Sequence, residues 1–411
     1  MAQILLINHY AGSPEHGMEF RPYYLAREWV RMGHQVTIVA ASYSHLRVRN
    51  PKIVGDIAEE QIDGIRYVWL RTGRYQGNGA RRVWNMATFV RQLRRYEARI
   101  LGSSLPEVVI ASSPHPFVIF PARRIAQKCH SRLVFEVRDL WPLSVIELGG
   151  MSRWNPFVQW LQWTENYAYR HADRIVSLLP KVDDYLRERG MDAGKFACIP
   201  NGIDLDETGG APAPLPEQHA AVLARLKSEG RFLIGYVGQH GLSNALDAFV
   251  ESASLKESSN AVWVLMGQGP EKARLEAKAK SSGANNIVFL PPVAKKAVPL
   301  FLAQMDVLFL GWNRLPLYRY GISPNKIMDY MLAAKPVIHA VEAGNDPVTE
   351  SHSGISCPPE SPAAISAAIQ QLMRTTPSER EAMGQRGRSY VKLHHDYRVL
   401  AAQFLDAIKC K

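Results

Sequence analysis

The chain has 411 residues, more than one hydrophobic core usually serves, and with 46% hydrophobic and 21% charged residues it has the make-up of an ordinary globular protein, so two domains of roughly 200 residues each are expected. No stretch approaches the roughly 20 apolar residues that cross a bilayer, the opening MAQILLINHYAG lacks a signal-like flank, and Cys129, Cys198, Cys357 and Cys410 show no CxxC or metal spacing, so membrane spans, disulfides and structural zinc are excluded and a cytoplasmic place is expected. The formal charge of +11 is uneven, 27 Lys and Arg against 18 Asp and Glu in residues 1–200 and 22 against 20 beyond, so an anionic partner (phosphorylated substrate, lipid surface or nucleic acid) is expected to meet the first half.

In chain order, residues 4–8 form a first strand, 20–32 a helix ending at Gly33, and 35–40 a second strand, the rhythm of parallel α/β units. Residues 66–99 hold nine Arg and a single acidic residue, Glu97. In the helix expected there, Trp84, Ala87, Val90 and Leu93 recur on one side while Arg91, Arg94, Arg95 and Arg99 supply charge. That pattern suits an interfacial helix on an anionic membrane surface, and equally a sheet-packed helix with a solvated basic face. No recognition module accompanies the charge, so nucleic acid is not an expected partner.

Strands follow at 107–112, 132–137 and 174–178, with helices at 121–128 and 155–171. The short, nearly continuous apolar runs are those of strands covered on both faces. CIPNGID (198–204) and the linker-like GGAPAPLP (209–216) set a domain boundary near 205–225. A second alternation begins at 232–237, continues through 261–266, 286–290 and 307–310, and reaches 336–339; a helical stretch from about 378 to 409 ends the chain.

Three groups of residues could carry chemistry. Gly238 with Gly241 in VGQHGL, and Gly267 with Gly269 in LMGQGP, each follow a strand, where a missing Cβ lets a ligand approach the backbone; plain turns would explain them too. In YGISPNKIMDYMLAAKPVI (320–338), Asn325 can cap a helix with Lys326 in its first turn and Asp329 three residues on, one cation for a diphosphate and one carboxylate for ribose hydroxyls, or else an ordinary surface ion pair. In the first half, FEVRDLWPL (135–143) sets Glu136, Arg138 and Asp139 at a strand end. His115 ends another strand, and AGSPEHGMEFR brings Gly12, His16, Gly17 and Arg21 after the first. His16 reads most simply as a solvent-exposed loop histidine, and Arg21 as either an anion ligand or a surface residue.

Taken together, INHYAGSPEHG, LAREWVRMGHQVTIV, FEVRDLWP, IPNGID, YVGQHGL, LMGQGP and SPNKIMDYMLAAKPVI resemble the GT-B glycosyltransferases, specifically glycosyltransferase family 4 and its bacterial surface-polysaccharide, N-acetylfucosamine-transferase-like branch. The resemblance implies an α/β GT-B fold, two Rossmann-like parallel-sheet domains facing across a cleft. Residues 1–205 would bind the acceptor and 206–385 the nucleotide sugar, with a C-terminal helix within 386–411 packing back on the first domain. It implies a metal-independent, retaining transfer of a sugar, N-acetylated or not, from a UDP-sugar to a polyprenyl-diphosphate-linked saccharide, with no cofactor and with peripheral attachment at the inner face of the cell membrane. Arg138, Asp139 and Lys326 would then act in catalysis. Gly17, Gly238, Gly267, Gly269, Ser323, Asn325, Lys326 and Asp329 would bind the donor, and His16, Arg21 and His115 the acceptor.

The chain departs from the family pattern in four places. Asp329 fills the second position of the family's paired acids, but Gly321 fills the first. Gln239 and Asn244 stand where a basic pair is customary, and Arg138 where a histidine is frequent. Lys326 is left as the nearest cation for the diphosphate, with Arg314 or Arg319 in support. A nucleotide-sugar epimerase or hydrolase of the same architecture, and a glycan-binding component without catalysis, are the rival readings.

Overall fold

The computed structural model describes residues 1–17, 20–77, 79–208, 210–255 and 260–409; Gly209 of the linker-like segment and Cys410 lie outside them. The chain divides into two units, Met1–Asn201 with Tyr397–Lys411, and Gly202–Asp396.

The first unit is built on eight strands: β1 (Gln3–Asn8), β2 (Gln35–Ala41), β3 (Ile57–Ile62), β4 (Ile65–Leu70), β5 (Val108–Ser112), β6 (Arg132–Val137), β7 (Arg174–Ser177) and β8 (Phe196–Cys198). They run in the order β3-β4-β2-β1-β5-β6-β7-β8. Every pairing is parallel except β3 with β4. β1 is central, Ile4 facing Val36 on one side and Val108 on the other, and the winding reverses between β1 and β5. In such sheets ligands bind outside the carboxyl ends of the strands at this reversal. The hairpin β3–β4 was not expected from the sequence; Asp63 and Gly64, at φ 47° and 79°, make the double positive-φ turn that joins twisted antiparallel strands.

The helices of this unit that bear on function are α1 (Arg21–Arg31), α2 (Ala80–Arg95), α3 (Ile119–Cys129) and α4 (Pro156–His171). α2 points Asn85, Met86, Phe89, Gln92 and Leu93 inward, so of the stripe Trp84, Ala87, Val90 and Leu93 the last is buried, while Trp84 is 71% exposed and Ala87 also faces solvent. The expected terminal helix is in fact two, Pro377–His394 in the second unit and Tyr397–Lys409 in the first, separated where Asp396 bridges to Ile203. Tyr397–Lys409 lies against α1. The Trp29 indole N–H donates to the Ala401 carbonyl at 3.0 Å, the Trp29 ring meets Phe404 edge-on at 5.2 Å, and Tyr24 stacks on Tyr397 at 4.9 Å. α1 and the last helix therefore both pack on the sheet and against each other, in one core.

The second unit has six parallel strands: β9 (Phe232–Val237), β10 (Ala261–Met266), β11 (Ile287–Leu290), β12 (Val307–Gly311), β13 (Val337–Ala340) and β14 (Gly354–Cys357). Their order is β11-β10-β9-β12-β13-β14, so the reversal falls between β9 and β12. One face is filled around Phe249, stacked on Phe309 at 4.0 Å, and the other around Phe301, Met305 and Met331. The helix α5 (Asn325–Leu332) covers this second face with Ile327, Met328 and Met331.

Because Phe404 is fully buried between α1 and its neighbours, Phe404→Ala is expected to destabilise the protein by about 3–5 kcal/mol, read as a lowered urea midpoint.

Candidate functional site

In the second unit, Gly238 ends β9 and Gly267 ends β10, at φ +144° and +155°. A Cβ on Gly267 would lie 1.9 Å from the Gly238 carbonyl oxygen, so the two loops touch backbone to backbone. Gly269 carries the contact on, since a Cβ there would lie 2.2 Å from the His240 carbonyl oxygen. Both positive φ values are ones that side chains rarely adopt, which explains why glycine occupies the two strand ends.

Onto this surface α5 projects Lys326. A Cβ on Gly238 would meet its Nζ at 2.8 Å, so the ammonium lies directly over the end of β9. The Lys326 ammonium donates to the Tyr236 hydroxyl at 2.9 Å and to Asn244 Oδ1, and it stands 4.9 Å from the Tyr236 ring centre. Asn244 is fixed in turn, its Nδ2 donating to the Gln239 carbonyl at 2.9 Å, and the Tyr236 hydroxyl donates to the same carbonyl at 2.7 Å. The cation is thus held by neutral oxygens alone, and burial lowers its pKa to about 8.

Asp329, one turn along α5, is half-buried, and its carboxylate makes no hydrogen bond or ion pair among the described residues. Burial raises its pKa to about 6, opposed by the charge of Lys295. The surface ion pair between Lys326 and Asp329 therefore does not form. Asn325 is exposed and opens the helix, whereas Pro324 is at the cap, which corrects the expected role of Asn325. Ser323 is half-buried on the preceding loop, which Asn345 clamps through both the amide and the carbonyl of Ile322. Arg314 is engaged with Glu342 at 3.0 Å, and Arg319 lies 4.3 Å over the Tyr320 ring.

His240 was not singled out from the sequence. It is fully buried in the β9 loop with both ring nitrogens lacking a hydrogen-bond partner among the described residues. Its backbone is fixed to Gln268 and Glu271, and its ring lies 5.9 Å from Tyr236 and 6.1 Å from Phe289. Burial, then the charges of Lys272 and Lys326, bring its pKa down to about 4, so the ring is neutral at physiological pH. A neutral imidazole presents one donor and one acceptor, and here both are unused beside Lys326.

The first unit gathers polar residues at the carboxyl ends of β1, β5 and β6. The buried Glu136 takes an ion pair from Arg21 at 2.9 Å and a hydrogen bond from Ser112, whose hydroxyl accepts from Asn8 Nδ2 at 2.8 Å. The remaining Arg21 nitrogens donate to the carbonyls of Ile199 and Pro200. Arg21 is 3% exposed with its guanidinium on these partners, so it is not the surface residue that was one of the two expectations for it. Arg138 is half-buried with its backbone N–H on Ser113 Oγ at 2.8 Å, and Asp139 beside it is exposed.

His16 is buried rather than solvent-exposed. Its Nδ1 lies 2.8 Å from Ser13 Oγ, its Nε2 is 3.7 Å from Glu60, and its ring packs near Trp69. Gly17 follows at φ +65°, tight against Val48. His115 is joined to His9, a residue that sequence reasoning passed over. Asn85 donates through Nδ2 to the Gly73 carbonyl, so its Oδ1 accepts from His9 Nε2 at 2.6 Å. His9 Nδ1 then accepts from His115 Nε2 at 2.9 Å, and His115 Nδ1 is left as a buried acceptor with no partner among the described residues. Burial, with the charge of Arg82, lowers the pKa of His115 to about 3, and burial with His115 as neighbour lowers that of His9. Both rings are neutral, as this hydrogen-bond chain requires.

The structure therefore brings Gly238, Gly267, Gly269 and Lys326 together in the second unit with Asp329 one turn away. In the first it sets His115, Arg138 and Asp139 on neighbouring strand ends, with His16 and Gly17 in the β1 loop. Among the described residues no three His, Cys, Asp or Glu side chains gather as a metal site.

Two family models match the chain, a glycosyl transferase 4-like domain over residues 16–202 and a glycosyl transferases group 1 domain over residues 231–375. The chain is 18% identical to the probable glycosyltransferase WbjE of Pseudomonas aeruginosa over 380 residues, 90% of each chain. It is 22% identical to the putative colanic acid biosynthesis glycosyl transferase WcaI of Escherichia coli (strain K12) over 279 residues, 65% of this chain and 66% of that one. Its fold is that of Anabaena Alr3699/HepE, solved in complex with UDP and glucose, with a TM-score of 0.64 and 14% identity over 100% of both chains.

An Asn244→Asp substitution would set a carboxylate against the Lys326 ammonium and favour its charged form. The Lys326 titration midpoint, near pH 8 in the unaltered protein, is expected to rise in the variant, as followed by the chemical shifts of labelled lysine side chains.

Proposed function

Because the chain is a glycosyltransferase of the GT-B fold related to family 4, we propose that it transfers a sugar, N-acetylated or not, from a UDP-sugar to a hydroxyl of a polyprenyl-diphosphate-linked saccharide with retention of configuration, in surface-polysaccharide biosynthesis. The observation that carries the donor half of this reading is Lys326, a half-buried cation fixed over the end of β9 by oxygens that leave its charge uncompensated. A diphosphate laid across the Gly238 and Gly267 loops would supply the missing anion, and Asp329 has a free carboxylate for two ribose hydroxyls. UDP as the carrier is favoured by the UDP-bound state of Alr3699/HepE, and surface polysaccharide by the colanic acid assignment of WcaI.

In the reaction the bond from the anomeric carbon to the phosphate oxygen breaks, and the acceptor oxygen bonds to the same face of the sugar. The acceptor proton passes to the departing phosphate oxygen. Lys326 stabilises the charge that grows on that oxygen, which needs no metal ion. Arg138 and Asp139 orient the reacting sugars, with His115 Nδ1 an acceptor for a sugar hydroxyl. A lipid-linked acceptor would be met at a membrane, for which the arginines on the outer face of α2 are suited.

The test is a panel of nucleotide sugars incubated with membrane-derived lipid-linked acceptors and read by mass spectrometry. A mass increase of one sugar on the acceptor is expected; isomerised or hydrolysed donor without acceptor would replace this reading with the epimerase or hydrolase one. Lys326→Ala is expected to lower turnover by about a hundred- to a thousandfold. The pH dependence has a definite sign. Lys326 carries its charge below about pH 8, and Asp329 is a carboxylate above about pH 6. UDP affinity by calorimetry is therefore expected to be greatest between these values. It should fall on the alkaline side as Lys326 loses its proton and on the acid side as Asp329 gains one, and Lys326→Arg should remove the alkaline fall.

A further inference from the structure

α4 buries Val158, Leu161, Thr164, Ala168 and Tyr169 against the first unit, which accounts for one side of the helix. Its outer side is apolar as well. Trp160 and Trp163 are 47% and 56% exposed, Tyr167 continues the same stripe, and Trp154, just before the helix, is 78% exposed. A helix on a sheet needs one apolar face, and a second one facing water has no folding purpose. The rings are held in place from below, Trp160 at 4.3 Å from Phe117 and Trp163 stacked on Phe120 at 5.8 Å.

The charge on this surface has one sign. Between residues 148 and 171 the exposed charges are Arg153 and Arg170, while the one carboxylate, Glu165, is buried beneath and hydrogen-bonded by Tyr185. Burial raises the Glu165 pKa to about 8, against the hydrogen bond from Tyr185, so it adds no negative charge at neutral pH. α3, which lies between α4 and α2, leads to Arg91 and Arg94, exposed and without an ion pair among the described residues.

We propose that the outer face of α4 docks on an anionic lipid bilayer, with Trp154, Trp160 and Trp163 entering the headgroup boundary while the arginines of α2 and α4 meet lipid phosphates. Tryptophan suits this boundary because its ring is apolar and its N–H is polar. Pairing with a second copy would set arginine against arginine, whereas lipid phosphates supply the opposite sign. The proposal deepens the reading of a membrane-borne acceptor, and its test needs neither donor nor acceptor.

The full chain is mixed with vesicles of phosphatidylglycerol and phosphatidylcholine, or of phosphatidylcholine alone, and sedimented. Binding to the anionic vesicles only is expected, with tryptophan fluorescence quenched by brominated acyl chains. The Trp160→Ser, Trp163→Ser double variant should lower partitioning by about tenfold or more. Its UDP affinity, which resides in the other unit, should be unchanged, which guards against misfolding. If the variant fails to fold, quenching in the unaltered protein decides. Absence of sedimentation with anionic vesicles, or of quenching, would overturn the proposal. So would a dimer in analytical ultracentrifugation that the variant makes monomeric, since the face would then belong to a second copy. Vesicle binding by a protein that transfers no sugar would count against the proposed reaction and leave the docking face standing.

Discussion

The second unit is organised around a lysine whose ammonium meets no carboxylate among the described residues. Lys326 is placed over β9 by Tyr236 and Asn244, and both of these are tied to the Gln239 carbonyl. The network depends on missing Cβ atoms, because a side chain at position 238 would occupy the space of the ammonium and one at 267 would force the loops apart. A half-buried charge satisfied only by neutral oxygens is less stable than one that is paired. The fold tolerates this because the parallel sheet and α5 hold the parts rigidly. The departure from the common basic pair thus has a physical reading: Asn244 contributes position rather than charge, and the cation over the end of β9 is delivered from α5.

The first unit treats its polar strand ends differently. Arg21 and Glu136 neutralise each other in the interior, and Asn8 and Ser112 complete the set of hydrogen bonds. The four side chains of that cluster are joined to one another inside the protein. The His9–His115 chain above it is built the opposite way, ending on an imidazole nitrogen that its own neighbours do not use. Two adjacent strand ends therefore carry contrasting devices, one closed and one open.

Much of the architecture was legible because parallel strands covered on both faces write themselves as short apolar runs, and those at 4–8, 132–137, 232–237 and 261–266 appear where the periodicity put them. The β3–β4 hairpin escaped notice although Asp63-Gly64 marks its turn, since its strand β3 alternates with charged residues and lacks the continuous run. The inward face of α2 was not legible because two of its residues, Asn85 and Gln92, are polar. Asn85 is buried by virtue of partners, His9 and Gly73, that only the folded chain supplies. The same holds for Arg21 and His16, whose partners Glu136 and Glu60 are remote in sequence. In the second unit, residue types and their place after strands could be read directly. The bond between Lys326 and Asn244 could not, because nothing in the local pattern of either residue refers to the other.

The return of the last helix to the first unit has a consequence for the order in which the protein comes into being. Synthesis runs from the amino terminus, and domains made first generally fold first. Here the apolar side of α1, with Tyr24 and Trp29, is complete only when Tyr397, Ala401 and Phe404 have been made. Until then a nascent chain carries an N-terminal half whose sheet can form but whose α1 surface is open to water and to other chains. The half that is translated first can be finished only by residues made after the whole of the second unit.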